Sequence, residues 1–192
     1  MFDAIARESQ IRGLHAFGAA WYATGQASSE LVCKKHLSLD GLLADVPREL
    51  PGRFIFHARY STSGDYRELS NNQPIVRDGA ALAFNGTLDM GTKVEMERRH
   101  SVELLTDNDG ELALLAALKG ADALKTFVAG TRGSIASVSL VGGKLWAIRN
   151  ARRPMWSLYI PGGKFFASTR DIFKRATGMD AVPVPPNELL EF

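Results

Sequence analysis

The chain has 192 residues, enough for one domain to close its own core without covalent staples. Hydrophobic residues make up 45% and charged residues 23%, a globular balance that excludes wholesale disorder. A net charge of +2, from 23 basic against 21 acidic residues, gives no electrostatic case for nucleic acid or an anionic membrane. Cys33 is the single cysteine, so neither a disulfide framework nor a cysteine-based zinc site can be built, which fits a reducing compartment. No apolar run has bilayer length and no signal-peptide pattern opens the sequence, so the expectation is a cytoplasmic protein with no membrane partner.

In chain order, Phe2, Ile5 and Ile11 fall at helical spacing, with Gly13 placed to stop the helix. "AFGAAWYATG" reads as a small-residue strand ending in a turn at Gly25, and "SELVCKK" as its hairpin partner. Ser38 is placed to cap a short helix over "LDGLLADV" before Pro47 and Pro51 interrupt the chain. "RFIFHARY" and "AALAFNG" read as buried strands, the second ending in an Asn-Gly turn signal. "DGELALLAALKG" predicts a helix with acids in its first turn, where they complement the helix dipole, and "ADALKTFVAG" a second helix.

Two hairpins follow, turning at Gly142-Gly143 and at Pro161-Gly162-Gly163. "RDIFKRATG" is a short helix stopped by Gly178, and "AVPVPPNELLEF" a proline-spaced edge segment. Strands in hairpins and helices in pairs predict a single α+β domain over residues 1–192, with two stacked antiparallel sheets flanked by helices.

Arg59, Asn85 and Asp109 each lie where an apolar element begins or ends, where scaffolds present polar chemistry. Read alone, each has a plainer account. A strand-end arginine forms a structural ion pair, Asn-Gly makes a turn, and Asp109 caps a helix. Taken together, "HARYSTSGD…NNQPI", "ALAFNGTL", "DNDGELALL", "LWAIRNARRPMW" and "FFASTRDIF" follow in the order and spacing of class II glutamine amidotransferase domains. These are the N-terminal nucleophile hydrolase domains of amidophosphoribosyltransferase, glutamate synthase and asparagine synthetase. Each motif is weakly specific, but five in order, spanning nearly the whole chain, are not.

The resemblance implies an αββα fold and a set of roles. Arg59 resembles the arginine that grips the α-carboxylate of glutamine, a charge-assisted contact. Thr62 looks like the hydroxyl supporting that carboxylate, and Asp109 is similar to the aspartate that holds the α-ammonium. Asn85 and Gly86 resemble the oxyanion hole. No cofactor or metal is implied. Glutamine or a related amino acid, and a protein partner or synthase subunit, are the partners the resemblance suggests.

The pattern departs from the family at two points. The family's nucleophile is an N-terminal cysteine on a short apolar strand, whose own α-amine handles the proton. This chain opens "MFDAIARESQ", at the helix that should follow that strand, so hydrolysis is not expected from these residues alone. That leaves a non-hydrolytic pseudoenzyme that binds an amino acid, an amide or a protein partner. The alternative is an active glutaminase whose cysteine strand lies upstream of Met1 or on another chain. Cys33, mid-strand and far from any α-amine, reads as a small apolar residue. Phe84 stands where many relatives have histidine, which removes a polar group beside the expected oxyanion site.

His15, His36, His57 and His100 show no zinc-like spacing. A nucleic-acid role for "RNARRPMW" ranks last, because no aromatics interleave the basic residues for base stacking.

Overall fold

The computed structural model describes residues 1–23, 30–61, 64–160 and 163–192. The expected turns at Gly25 and at Pro161-Gly162, and Thr62, lie outside the described residues.

Helix α1 (Phe2–Glu8) runs through a 3-10 turn into β1 (Ala16–Tyr22), the centre of a three-stranded sheet with β2 (Leu31–His36) and β3 (Phe54–Arg59) in the order β2-β1-β3. Between β2 and β3, α2 (Leu39–Asp45) starts as expected at Ser38, whose hydroxyl accepts from Gly41 N–H at 3.2 Å.

A five-stranded sheet has the order β11-β7-β6-β5-β4, built from β4 (Ile75–Arg77), β5 (Ala80–Thr87), β6 (Ser134–Val141), β7 (Lys144–Arg149) and β11 (Leu190–Glu191). Its β6–β7 hairpin turns at Gly142 and Gly143, with φ of 56° and 78°, the pair of positive angles that a two-residue turn matched to strand twist requires. A third sheet, β10-β8-β9, joins β8 (Trp156–Ile160), β9 (Gly163–Ala167) and β10 (Val182–Pro183). The C-terminal segment is an edge as expected, crossing from β8 at Val182 to β7 at Leu190.

Strand alternation sorts these pieces into four layers. In β5, Leu82 and Phe84 point into a core with α4 (Glu111–Leu118) and α5 (Ala121–Gly130). Ala81 and Ala83 point the other way, onto Ala20 of β1 and Ile55 of β3. Further along the same face, Ala136 and Ala147 pack with Met155 and Phe166 of the β8–β9 region. The outer faces of the two small sheets are covered by α1 and α2 on one and by α6 (Arg170–Thr177) with Ile5 on the other. The order is therefore helices, two small sheets, one large sheet, helices.

One sequence expectation needs correction. Asn85-Gly86 is not a turn: the β5–β6 ladder continues through both to Thr87 opposite Ser134. The expected architecture of stacked antiparallel sheets between helices is present, with the layer opposite the five-stranded sheet standing as two three-stranded pieces. Helix α3 (Lys93–His100) has no counterpart among the expected elements; it opens on a capping box between Thr92 and Glu95. No described helix is long and apolar enough to cross a membrane.

Candidate functional site

A cavity of about 760 Å³ opens between the small sheets and the large one. Every residue of β3 and of β9 lines it, together with Ala83 to Thr87 of β5. Among the described residues β3 pairs only with β1 and β9 only with β8, so the cavity runs along two unpaired strand edges.

Arg59 is the last residue of β3 and 3% exposed. The period of two puts it on the face of Ile55 and His57, toward β5. Burial pulls its guanidinium down to about 10, against the carboxylates of Asp109 and Asp65, which favour the charge. It remains a cation at neutral pH, and its Nη1 donates to Asn72 Oδ1.

Asp109 sits just before α4 and is 4% exposed. Its Oδ2 accepts from the N–H groups of Leu88 (2.6 Å) and Asp89 (3.1 Å). Burial raises its pKa and those backbone donors oppose the rise. Arg59 and Asp109 line the same cavity, close enough for the Asp109 carboxylate to favour the Arg59 charge.

Asn85 and Gly86 lie on the β5 wall of this cavity. Asn85 shares strand parity with Ala83, so its side chain faces the small sheets, and its Nδ2 is buried with no acceptor among the described residues. A buried amide donor without a partner costs about 1–3 kcal/mol, which calls for a functional account. Gly86 has φ of 154°, and a Cβ there would collide with Ser134 O, so no other residue fits.

Phe84 does not alter the polarity of this wall. Alternation turns its ring to the opposite face, into the core with α4 and α5, and leaves only its backbone at the cavity. Its carbonyl accepts from His57 Nε2 at 3.1 Å, which fixes the tautomer: Nε2 carries the proton and Nδ1 is a bare acceptor. Nδ1 is buried and without a partner among the described residues. Burial, with Arg59 nearby, pushes the imidazole down to about 4, so it is neutral at pH 7.

Sequence reasoning missed the polar framework behind these residues. Glu111, fully buried, accepts from Leu105 N–H (2.9 Å), Thr106 N–H (2.8 Å) and Arg77 Nη1 (2.8 Å), fixing the loop that leads to Asp109. Asn71, Asn72 and Gln73 are all buried, and Gln73 Oε1 accepts from Phe84 N–H. His15 is stacked between Tyr60 and Tyr66, with centroids 4.8 and 4.7 Å away, and its Nδ1 accepts from Ser61 N–H at 3.0 Å. The available signal was the run "NNQPI" itself, three polar residues entering a buried strand.

The other candidates have structural uses. Cys33 lies on β2, outside the cavity, beside Pro74 O, and burial raises its thiol pKa. His36 pairs with Asp45 and His100 with Asp89, each at 2.9 Å. In "RNARR", Arg149 donates to Val184 O at 2.6 Å and Arg152 to Thr131 O at 3.0 Å, so the basic cluster staples the chain after β7.

Compared by sequence, the chain matches no protein-family model and no curated protein. Solved structures do match. A glutamine phosphoribosylpyrophosphate amidotransferase from B. subtilis, complexed with ADP and GMP, superposes over 98% of this chain with a TM-score of 0.73 and 22% identity. A structure of the allosteric regulatory enzyme of purine biosynthesis gives 98%, 0.72 and 20%. A glutamine aminotransferase class-II domain protein from Silicibacter pomeroyi gives 92%, 0.58 and 16%.

This chain has the class II glutamine amidotransferase fold. It spans 43% of each of the first two proteins and 86% of the third. Within that fold, Arg59, Asn85, Gly86 and Asp109 are brought to one cavity from β3, β5 and the start of α4.

Proposed function

We propose that these residues form the glutamine-recognition site of a class II amidotransferase domain. The observation that carries this reading is the convergence of a buried cation, a buried carboxyl group and an unpartnered amide donor on one cavity. Opposite charges at two points suit a zwitterion. Arg59 takes the α-carboxylate, Asp109 the α-ammonium, and Asn85 Nδ2 with the Gly86 N–H the oxygen of the side-chain carboxamide. Thr62, three residues after Arg59, supports the carboxylate in this reading. The ligand is glutamine or a close relative, and a reducing cytoplasm would supply it.

Recognition is not turnover. Cys33, the single cysteine, stands outside the cavity, which supports a reading in which these residues bind the ligand and do not cleave it. Titration with glutamine, followed by amide chemical shifts, tests this. Shifts clustered at Arg59, Asn85, Gly86 and Asp109 support the site; shifts elsewhere, or none, reject it.

A second reading is favoured by the two unpaired edges along the cavity. An extended strand between β3 and β9 would satisfy both and unite the two small sheets. Carried by a longer form of this chain or by another chain, and led by a cysteine, it would place a thiolate beside Asn85. The thiolate would attack the carboxamide carbon, ammonia would leave, and water would release glutamate from the thioester. A synthetic peptide opening Cys-Gly and continuing with apolar residues, mixed with the chain and glutamine, should then release ammonia. A serine-led peptide should not.

A further inference from the structure

Asn72 is fully buried and joins two parts of the site. Its Oδ1 accepts from Arg59 Nη1, and its Nδ2 donates to Tyr66 O at 2.7 Å. The amide has one orientation available, because a guanidinium can only donate and a carbonyl can only accept. One planar group therefore links the Arg59 head to the backbone of the loop at Tyr66. That loop is held from its other side by the stack of His15 on Tyr60 and Tyr66.

Asn72 is also neutral. An aspartate of the same shape would accept the same Arg59 hydrogen bond, but would place a full negative charge on the cation and lose the donor to Tyr66.

We infer that Asn72 is the positioning residue that aims Arg59 and preserves its preference for an anionic ligand group. The inference rests on the glutamine-recognition reading for its ligand, and on the Asn72 geometry alone for its effect on Arg59.

Two experiments separate these. In ligand-free protein labelled with ¹⁵N-arginine, the hydrogen bond hinders rotation of the Arg59 head, so wild type should show resolved Nη resonances. Asn72→Ala should show faster exchange between them, and resonances unchanged in the variant would overturn the inference.

The second experiment compares affinities for glutamine and for its α-amide, which lacks the carboxylate. Asn72→Asp, isosteric with wild type, should reduce the preference for glutamine by about tenfold or more, the effect expected when a charge-assisted hydrogen bond no longer favours the carboxylate. A preference unchanged from wild type would overturn the inference. If wild type binds neither compound, the recognition reading fails while the arginine spectra still decide the role of Asn72.

Discussion

Asn71 and Asp107, 36 residues apart, hold each other by two hydrogen bonds: Asn71 Nδ2 donates to Asp107 Oδ2 at 3.3 Å, and Asn71 Oδ1 accepts from Asp107 N–H at 2.9 Å. Asn108 adds a third bond, from its Nδ2 to Asn71 O at 3.0 Å. The segment that positions Arg59 is thereby tied to the loop that presents Asp109. Two charges far apart in sequence thus reach one cavity as a fixed pair.

Replacing Asn71 with alanine leaves Asp107 N–H and its carboxylate without this partner in a site that is 5% exposed at Asn71. The expected loss is about 1–3 kcal/mol of stability. Urea unfolding should show a lower midpoint with the slope unchanged.

Glu111→Gln is expected to cost more. The change removes the charge facing Arg77 at a fully buried position and mismatches one of several backbone donors. Breaking a buried ion pair costs about 3–5 kcal/mol, so the thermal midpoint should fall well below that of Asn71→Ala. A midpoint equal to wild type would mean that the loop before α4 does not depend on this carboxylate.

Acid should weaken the fold through His57. Its native value of about 4 lies below the ordinary 6.5, so between these pH values the unfolded chain binds a proton that the native chain does not. Stability therefore rises with pH across this window and falls on acidification, by up to about 1.4 kcal/mol per pH unit. His57→Gln, which keeps an amide donor for the Phe84 carbonyl, should flatten that slope between pH 6.5 and 4. An equal slope in both proteins would remove His57 from the account.

Much of this was legible in the sequence because local chemistry and tertiary use agree. Ser38 caps α2, the glycine pair at 142–143 turns β6 into β7, and the apolar runs of "RFIFHAR" and "AALAFNG" locate β3 and β5. Where the two disagree, the reading failed. Asn-Gly signals a turn locally, but here the ladder with β6 carries both residues, and Gly86 is required by Ser134 O rather than by a turn. Helix α3 is polar on nearly every face, with Met96 its one buried residue, so no apolar periodicity announced it. The division of the outer sheet was illegible, since strand patterns say nothing about which edges meet. Asn72 was illegible for the same reason: a buried asparagine is set by its two partners, and neither is a sequence neighbour.

Cys33 should behave as a packed residue. Burial raises its thiol pKa, so alkylation by iodoacetamide at pH 7.5 should be slow in the native protein and fast in urea. Cys33→Ala should leave glutamine affinity unchanged, because β2 does not border the cavity. Rapid native labelling that also blocks the ligand would contradict the placement.

The central claim is that Arg59 holds the carboxylate of a free amino acid, and calorimetry with glutamine on wild type and Arg59→Ala tests it most directly. Truncating one partner of a buried, hydrogen-bonded charge pair costs about 2–5 kcal/mol, so the affinity should drop about 30-fold or more. Glutamine binding equally well to both proteins would contradict the account.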